Sequence, residues 1–343
     1  MDYLTFSISV VLVLLINFLF IKKNILPSFS GDNHQKLASV KSIPLSGGIF
    51  LLSIYCLIFL KTFSLHLIFI ISIFLIGLFS DLKILKSAKI RLFLQSAIIF
   101  VFVIFFDLQI TSTRLEFFDE VLRNRFISYL FVSFCILIIV NGSNFLDGLN
   151  TLVLGYYLLV SYIIYKTELY NFINLEPKLF LFWFFFLAFV YVVNFLNLLY
   201  LGDNGAYFLG FVYSFVLILI YNNYTTISPY FIILLLWYPG FENLFSIIRK
   251  KILKKNSPLL PDPKHLHQLM FMIFNKKLIK NKIYANLVVA NTINIYNFIV
   301  FSISIQNISD TKYQLVLLLI NIIIYTFLYF FLSKVLKKIN NQF

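Results

Sequence analysis

The chain has 343 residues, 61% hydrophobic and 19% aromatic but only 12% charged, with a mean hydropathy of +0.92 and a net charge of +14. A soluble globular domain is nearer half apolar and a quarter charged, so the composition excludes a soluble enzyme or binding module and marks a polytopic membrane protein. Its two cysteines, Cys56 and Cys135, lie inside apolar runs and read as packing residues, not as a disulfide or zinc framework.

Apolar windows of roughly 17–25 residues read as spanning helices. Eleven are predicted, near 3–21, 44–60, 64–79, 91–106, 126–140, 149–165, 179–199, 205–221, 228–247, 284–304 and 312–333. The first lacks a basic leader and a small-residue cleavage site, and Lys22 and Lys23 follow it, so it reads as a retained helix. With Met1 outside, the cytoplasmic side receives loops 22–43, 80–90, 141–148, 200–204 and 248–283 and the C-terminal tail. With their adjoining helix ends these hold 21 of the 28 Lys and Arg. The other side holds 7 basic residues against 8 acidic ones. The bias predicts an all-α bundle with its N-terminus outside and its C-terminus in the cytoplasm. Residues 1–343 read as one membrane-embedded domain, with the cytoplasmic loops forming its active site. A basic cytoplasmic face also attracts anionic lipids and phosphorylated substrates; no nucleic-acid partner is expected.

Five stretches on that side carry unusual chemistry. "KSIPLSGGIF" opens the second helix with Pro44 and the pair Gly47-Gly48, which permits close backbone approach; a plain helix start is the simpler reading. In "GLFSDLKILKSAKIRLFLQ", Asp81 ends an apolar helix, where a carboxylate opposes the macrodipole, and Lys83, Lys86, Lys89 and Arg91 follow. An aspartate neutralised by those bases is the alternative. In "NGSNFLDGLN", Asn141, Asn144 and Asp147 recur every third residue, so on a continuing helix they drift along one face. A helix cap needs one such residue, and three at a membrane boundary are expensive unless they line a cavity. In "YLGDNGAYFLGF", Asp203 precedes a helix within glycine-rich backbone, a setting that suits a metal-bound phosphate or a simple N-cap. In "SPLLPDPKHLHQLM", Lys264, His265 and His267 lie in the most basic loop without a third zinc ligand, so a phosphate or nucleotide contact is the better reading. Three carboxylates at helix ends suit Mg²⁺, which binds through one or two carboxylates plus substrate phosphates. Together these stretches point to a membrane-embedded site for a diphosphate.

In this order the stretches resemble those of the polyprenyl-phosphate N-acetylhexosamine-1-phosphate transferases, which include undecaprenyl-phosphate GlcNAc-1-phosphate transferases and phospho-MurNAc-pentapeptide translocase. "IPLSGG" is similar to the family's Pro-x-x-Gly-Gly start, and "GLFSDLK" to its acidic-pair loop. "NGSNFLDGLN" resembles its Asn-x-x-Asn-x-x-Asp-Gly-x-Asp signature, "GDNGAYFLGF" its Gly-Asp block and "PDPKHLHQL" its His loop. The resemblance implies a bundle of ten or eleven helices in the bacterial inner membrane. It implies transfer of a sugar-1-phosphate from a UDP-N-acetylhexosamine to undecaprenyl phosphate, with release of UMP, in a cytoplasmic cleft. Mg²⁺ is the implied cofactor, with Mn²⁺ as an alternative. By position it makes Asp203 the metal ligand and Asp81 and Asp147 catalytic carboxylates. Asn141, Asn144, Lys89, Lys264, His265 and His267 become substrate contacts. Four departures stand out: Ser80 replaces one acid of the pair, the spacing from Asp81 to Lys89 is one residue longer, Asn150 replaces the closing Asp and Gln268 the third His.

Two other readings stay open. A transporter or flippase for a lipid-linked or anionic solute would place charges near the bilayer midplane, where Glu242 is the exception among acids clustered at helix ends. A catalytically silent relative would rest on Ser80 and Asn150. The sugar, the glycan pathway and assembly into a homodimer do not follow from the sequence.

Overall fold

The structure is a computed structural model that describes residues 3–28, 43–59, 65–253 and 264–340. The segments 29–42 of the first predicted cytoplasmic loop and 254–263 of the longest one lie outside the described residues. In chain order the helices are α1 (Tyr3–Lys22), α2 (Gly47–Phe59), α3 (His66–Asp81), α4 (Ala88–Phe105), α5 (Glu116–Leu122), α6 (Arg125–Leu146) and α7 (Leu152–Lys166). They continue as α8 (Pro177–Phe195), α9 (Gly202–Asn223), α10 (Pro229–Leu235), α11 (Trp237–Leu253), α12 (Leu266–Lys277), α13 (Lys282–Ser304) and α14 (Thr311–Asn340). Apolar runs of this length become helices because lipid offers the backbone no partner but itself.

Each predicted apolar window contains a helix among its described residues. Among the described residues, 7 helices are long and apolar enough to cross a membrane, or 8 with α10 and α11 taken as one span. Three further apolar helices, α2, α3 and α7, are shorter. Three expectations need correction. The predicted loop 141–148 is helical as far as Leu146, because its asparagines continue the α6 ladder. Most of 200–204 is the first turn of α9. The window 228–247 is broken, with α10 and α11 bent by 78°. Pro239 explains the break: it has no N–H to offer the carbonyl of Leu235, four residues back, and its ring crowds that carbonyl. The freed Leu235 carbonyl accepts the Tyr156 hydroxyl at 2.9 Å.

The centre of the bundle is α9. Its apolar window is 83% buried, against 11% for α1 and 17% for α14 at the periphery. It packs on α2, α3 and α6, and small residues allow this, as in other membrane helix pairs. A Cβ on Gly48 would lie 1.9 Å from Asn204 Oδ1 and 2.4 Å from the Gly205 nitrogen. A Cβ on Gly77 of α3 would lie 2.5 Å from Asn204 Cα and 2.6 Å from the Asp203 carbonyl oxygen. Both glycines therefore press their helices onto the first turn of α9. A second polar knot fixes the start of α7: the Thr151 N–H donates to Asn194 Oδ1 at 2.7 Å, and Asn294 Nδ2 donates to the Thr151 carbonyl at 3.1 Å. It ties α7 to α8 and α13.

The α3–α9 seam has no room for a side chain at position 77. Gly77→Val is expected to destabilise the fold by about 1–3 kcal/mol, the usual range for overpacking. A thermal unfolding midpoint in detergent indistinguishable from wild type would contradict this packing.

Candidate active site

The first turn of α9 is assembled from three helices. Asp81 is the last residue of α3, where its charge opposes that helix's dipole. Its carboxylate instead serves α9: Oδ1 accepts the Asp203 N–H at 3.1 Å, and Oδ2 accepts the Asn204 N–H at 3.0 Å and Asn204 Nδ2 at 2.5 Å. A helix N-terminus has unpaired donors and a partial positive charge, so a carboxylate borrowed from another helix satisfies both. Gly202 makes the fit possible. It sits at φ +77°, and a Cβ there would lie 2.8 Å from Asp81 Oδ2.

Asp203 is held from three sides. Oδ1 accepts Asn144 Nδ2 of α6 at 2.5 Å, and Oδ2 accepts the Ser80 hydroxyl at 2.6 Å and Arg91 Nη1 of α4 at 2.9 Å. Arg91 also bonds Ser80. Asp147 follows the last turn of α6. Burial, and then the charges of Asp203 and Asp81, push its carboxyl well above the usual carboxylate range, partly offset by the Gly202 N–H. The three aspartates therefore feel one another, with Arg91 as the cation bonded among them.

A histidine pair borders the same end of α6. His265 caps α12, and its backbone N–H donates to Gln268 Oε1 at 3.3 Å. Its ring lies parallel to that of His267, 5.7 Å away and 11° apart, and 4.9 Å from Phe145. His265 Nδ1 stands 2.9 Å from Oε1 of Glu242. His267 lies against Gly148, whose Cβ would be 3.3 Å from Nε2. Both its ring nitrogens are buried without a protein partner, and burial pushes the imidazole down to about 3.

The structure thus brings Asp81, Asp147, Asp203 and Asn144 together, and sets His265 and His267 against the α6 end that bears Asp147. Asn141 turns elsewhere, with Nδ2 donating to Gln95 Oε1 at 3.0 Å and to the Leu137 carbonyl. Lys89 and Lys264 are exposed. Arg91, which the sequence reading passed over for Lys89, is the base that reaches Asp203. Two helical positions are about 200° of rotation, so the two bases face opposite ways, and Arg91 shares its face with Gln95 four residues on. That register was the available signal. Phe145 was also missed; it lies between His265 and Lys250, whose Nζ is 5.9 Å from the ring centroid. Three of the departures find local roles. Ser80 orients Asp203, and Gln268 pairs with the first turn of α12. Asn150 donates to Asn197 Oδ1 at 2.5 Å and accepts no share of the aspartate cluster, its own N–H going to Asn286 Oδ1 at 2.8 Å.

Residues 63–221 match the model of glycosyl transferase family 4, and that segment contains Asp81, Asn144, Asp147 and Asp203. The match identifies this segment, a little under half of the chain, with the polyprenyl-phosphate N-acetylhexosamine-1-phosphate transferases. A comparison with curated proteins gives no match. The match to glycosyl transferase family 4 implies transfer of a sugar-1-phosphate to a polyprenyl phosphate by a multi-pass membrane protein.

Enzymes of the family generally need Mg²⁺. Among the described residues, no three His, Cys, Asp or Glu side chains are grouped to enclose an ion. Mg²⁺ seldom has an all-protein cage and is usually held by one or two carboxylates and the substrate's phosphates. Asp203 and Asp147 supply that donor chemistry, with a local excess of negative charge for a cation to neutralise, so the residues fit the ion.

Two outcomes follow from these contacts. Asn150→Asp is expected to lower stability by about 1–3 kcal/mol through loss of its donor to Asn197. It should leave the Mg²⁺ dependence unchanged, and a shifted Mg²⁺ titration would show that position 150 faces the aspartates after all. His267 stays neutral in the folded protein, whereas an unfolded histidine ionises near pH 6.5. Its contribution to stability is complete above that pH and declines as pH falls from about 6.5 toward 3. Wild type should therefore lose more thermal stability than His267→Gln between pH 7.5 and pH 5.

Proposed function

We propose that this protein transfers an N-acetylhexosamine-1-phosphate from a UDP-sugar to undecaprenyl phosphate, releasing UMP and initiating a lipid-linked cell-surface glycan. The observation that carries the reading is the convergence of Asp81, Asp147 and Asp203, from three helices, on the N-terminus of α9 within the family-matched segment. On this reading the bundle crosses the bacterial inner membrane eleven times, with its N-terminus outside. The skew of basic residues in the sequence supports placing the site on the cytoplasmic face, where nucleotide sugars occur.

The reaction joins an oxygen of the lipid phosphate to the phosphorus that bears the sugar and breaks that phosphorus's bond to the oxygen of UMP. A phosphate monoester is largely ionised near neutral pH, so little proton remains for a base to remove. Catalysis then rests on position and charge. Asp81 fixes the α9 terminus by accepting its first N–H groups, and so sets where the Asp203 carboxylate stands. Asn144, Ser80 and Arg91 hold Asp203 in one orientation, and the Arg91 guanidinium moderates repulsion between the aspartates and the incoming phosphates. Mg²⁺, when bound by Asp203 and Asp147, neutralises charge on the diphosphate. His265 and His267 border the nucleotide-sugar side.

Purified protein with undecaprenyl phosphate and a panel of UDP-N-acetylhexosamines is expected to release UMP in a Mg²⁺-dependent manner with one donor. Asp203→Asn should lower the rate at least ~10²-fold, the scale of losing one charge-stabilising group. Folded protein that releases UMP equally well without Mg²⁺, or with Asn at 203, would overturn this reading.

A further inference from the structure

Glu242 lies in α11, one turn beyond the broken junction with α10, and is 1% exposed. It falls outside the family-matched segment and outside the aspartate cluster. A buried carboxylate requires hydrogen-bonded compensation, and a helix that needed only packing would carry leucine here. Tyr238 of α11 and Tyr325 of α14 stand close enough to feel its charge. Its direct partner is the ring of His265, at 2.9 Å from Nδ1.

That contact does more than neutralise a charge. A carboxylate accepts and never donates, so Nδ1 must carry a proton whenever the pair is formed. The bond made by one ring nitrogen then decides what the other can do. The ring plane is set as well, between the bond to Glu242, the face of Phe145 at 4.9 Å and the parallel ring of His267 at 5.7 Å. Phe145 is two residues from Asp147, and His267 lies against Gly148. The orientation imposed by Glu242 is therefore handed directly to the end of α6 that carries the buried aspartate.

We infer that Glu242 is a positioning residue: it holds His265 with Nδ1 protonated and turned toward α11, leaving the lone pair of Nε2 to accept a hydrogen bond from an N–H or O–H group of the nucleotide sugar. This inference rests on the transferase reading for the identity of the ligand, but the tautomer does not depend on it. Glutamine at 242 is nearly the same size, yet it can turn its amide NH₂ toward Nδ1 and reverse the tautomer. Aspartate keeps the charge and the acceptor chemistry.

The test combines spectroscopy with a double-mutant cycle. In protein labelled with ¹⁵N histidine, the His265 signals, assigned by their loss in His265→Asn, should report a protonated Nδ1, and Glu242→Gln should change that pattern. Glu242→Gln should lower kcat/KM for the UDP-sugar about 10–100-fold, the range seen when a partner that orients a histidine is lost. It should leave the KM for undecaprenyl phosphate unchanged, and Glu242→Asp should recover most of the activity. On the His265→Asn background, Glu242→Gln should have no further effect. Equal losses with and without His265 would make Glu242 a packing residue and overturn the inference, as would a bare Nδ1 in the wild type. If wild-type protein transfers no sugar at all, the proposed function fails; the ¹⁵N spectrum and the affinity of Glu242→Gln for UDP by calorimetry still decide the role of Glu242.

Discussion

The structure hangs on one hydrogen-bonded charge, the Asp81 carboxylate on the backbone of Asp203 and Asn204. At the C-terminus of α3 that charge is unfavourable, and nothing in α3 requires it. At the N-terminus of α9 it satisfies donors that would otherwise be left at the edge of an apolar bundle. The two helices are thus bound by a group that belongs to one and is useful only to the other. Gly48 and Gly77 follow from the same contact. α2 and α3 must come within backbone distance of the first turn of α9, and any side chain there would hold them off.

The placement of Asp203 follows in turn. With the α9 terminus fixed from one side, Asn144 from α6 and Arg91 from α4 reach it from others. The site is therefore an intersection of helix ends. Ser80 and Asp81 from α3, Asn144 from α6 and Arg91 from α4 meet Asp203 of α9 or its backbone near the ends of their helices. This arrangement keeps the charged groups at the ends of apolar helices and away from their middles, where in a bilayer they would cost more. It also explains how so few charged residues serve in so greasy a chain.

Much of this was legible in the sequence, because polar residues at the ends of long apolar runs have few innocent explanations. Asp81, Asn144, Asp147 and Asp203 stood out on that ground, and the structure groups them. What escaped was three-dimensional. Asp81 looked like a misplaced charge because its beneficiary lies more than a hundred residues away. Lys89 and Arg91 are near neighbours in sequence but on opposite faces of α4. Asn141 shares the spacing of Asn144 and Asp147 yet pairs with Gln95 of α4, since each three-residue step falls about 60° short of a full turn and swings Asn141 away from α9. Asn150 and Ser80 both looked like lost charges. One belongs to a neighbouring asparagine network and the other to the site itself. The break at Pro239 was readable in principle, since a proline that deep in an apolar run removes a ladder bond.

That break alters what a change in chain length does. In a straight span, inserting one residue rotates everything beyond it by about 100° and shifts it about 1.5 Å in depth. Where α11 turns 78° away from α10, the same insertion slides the following residues almost sideways. A change of length there therefore moves the chain that carries Glu242 across the line of α10 and not along it. An insertion before Glu242 would also turn it by about 100° about the α11 axis and away from His265, so that pair fixes the length of chain between the break and Glu242.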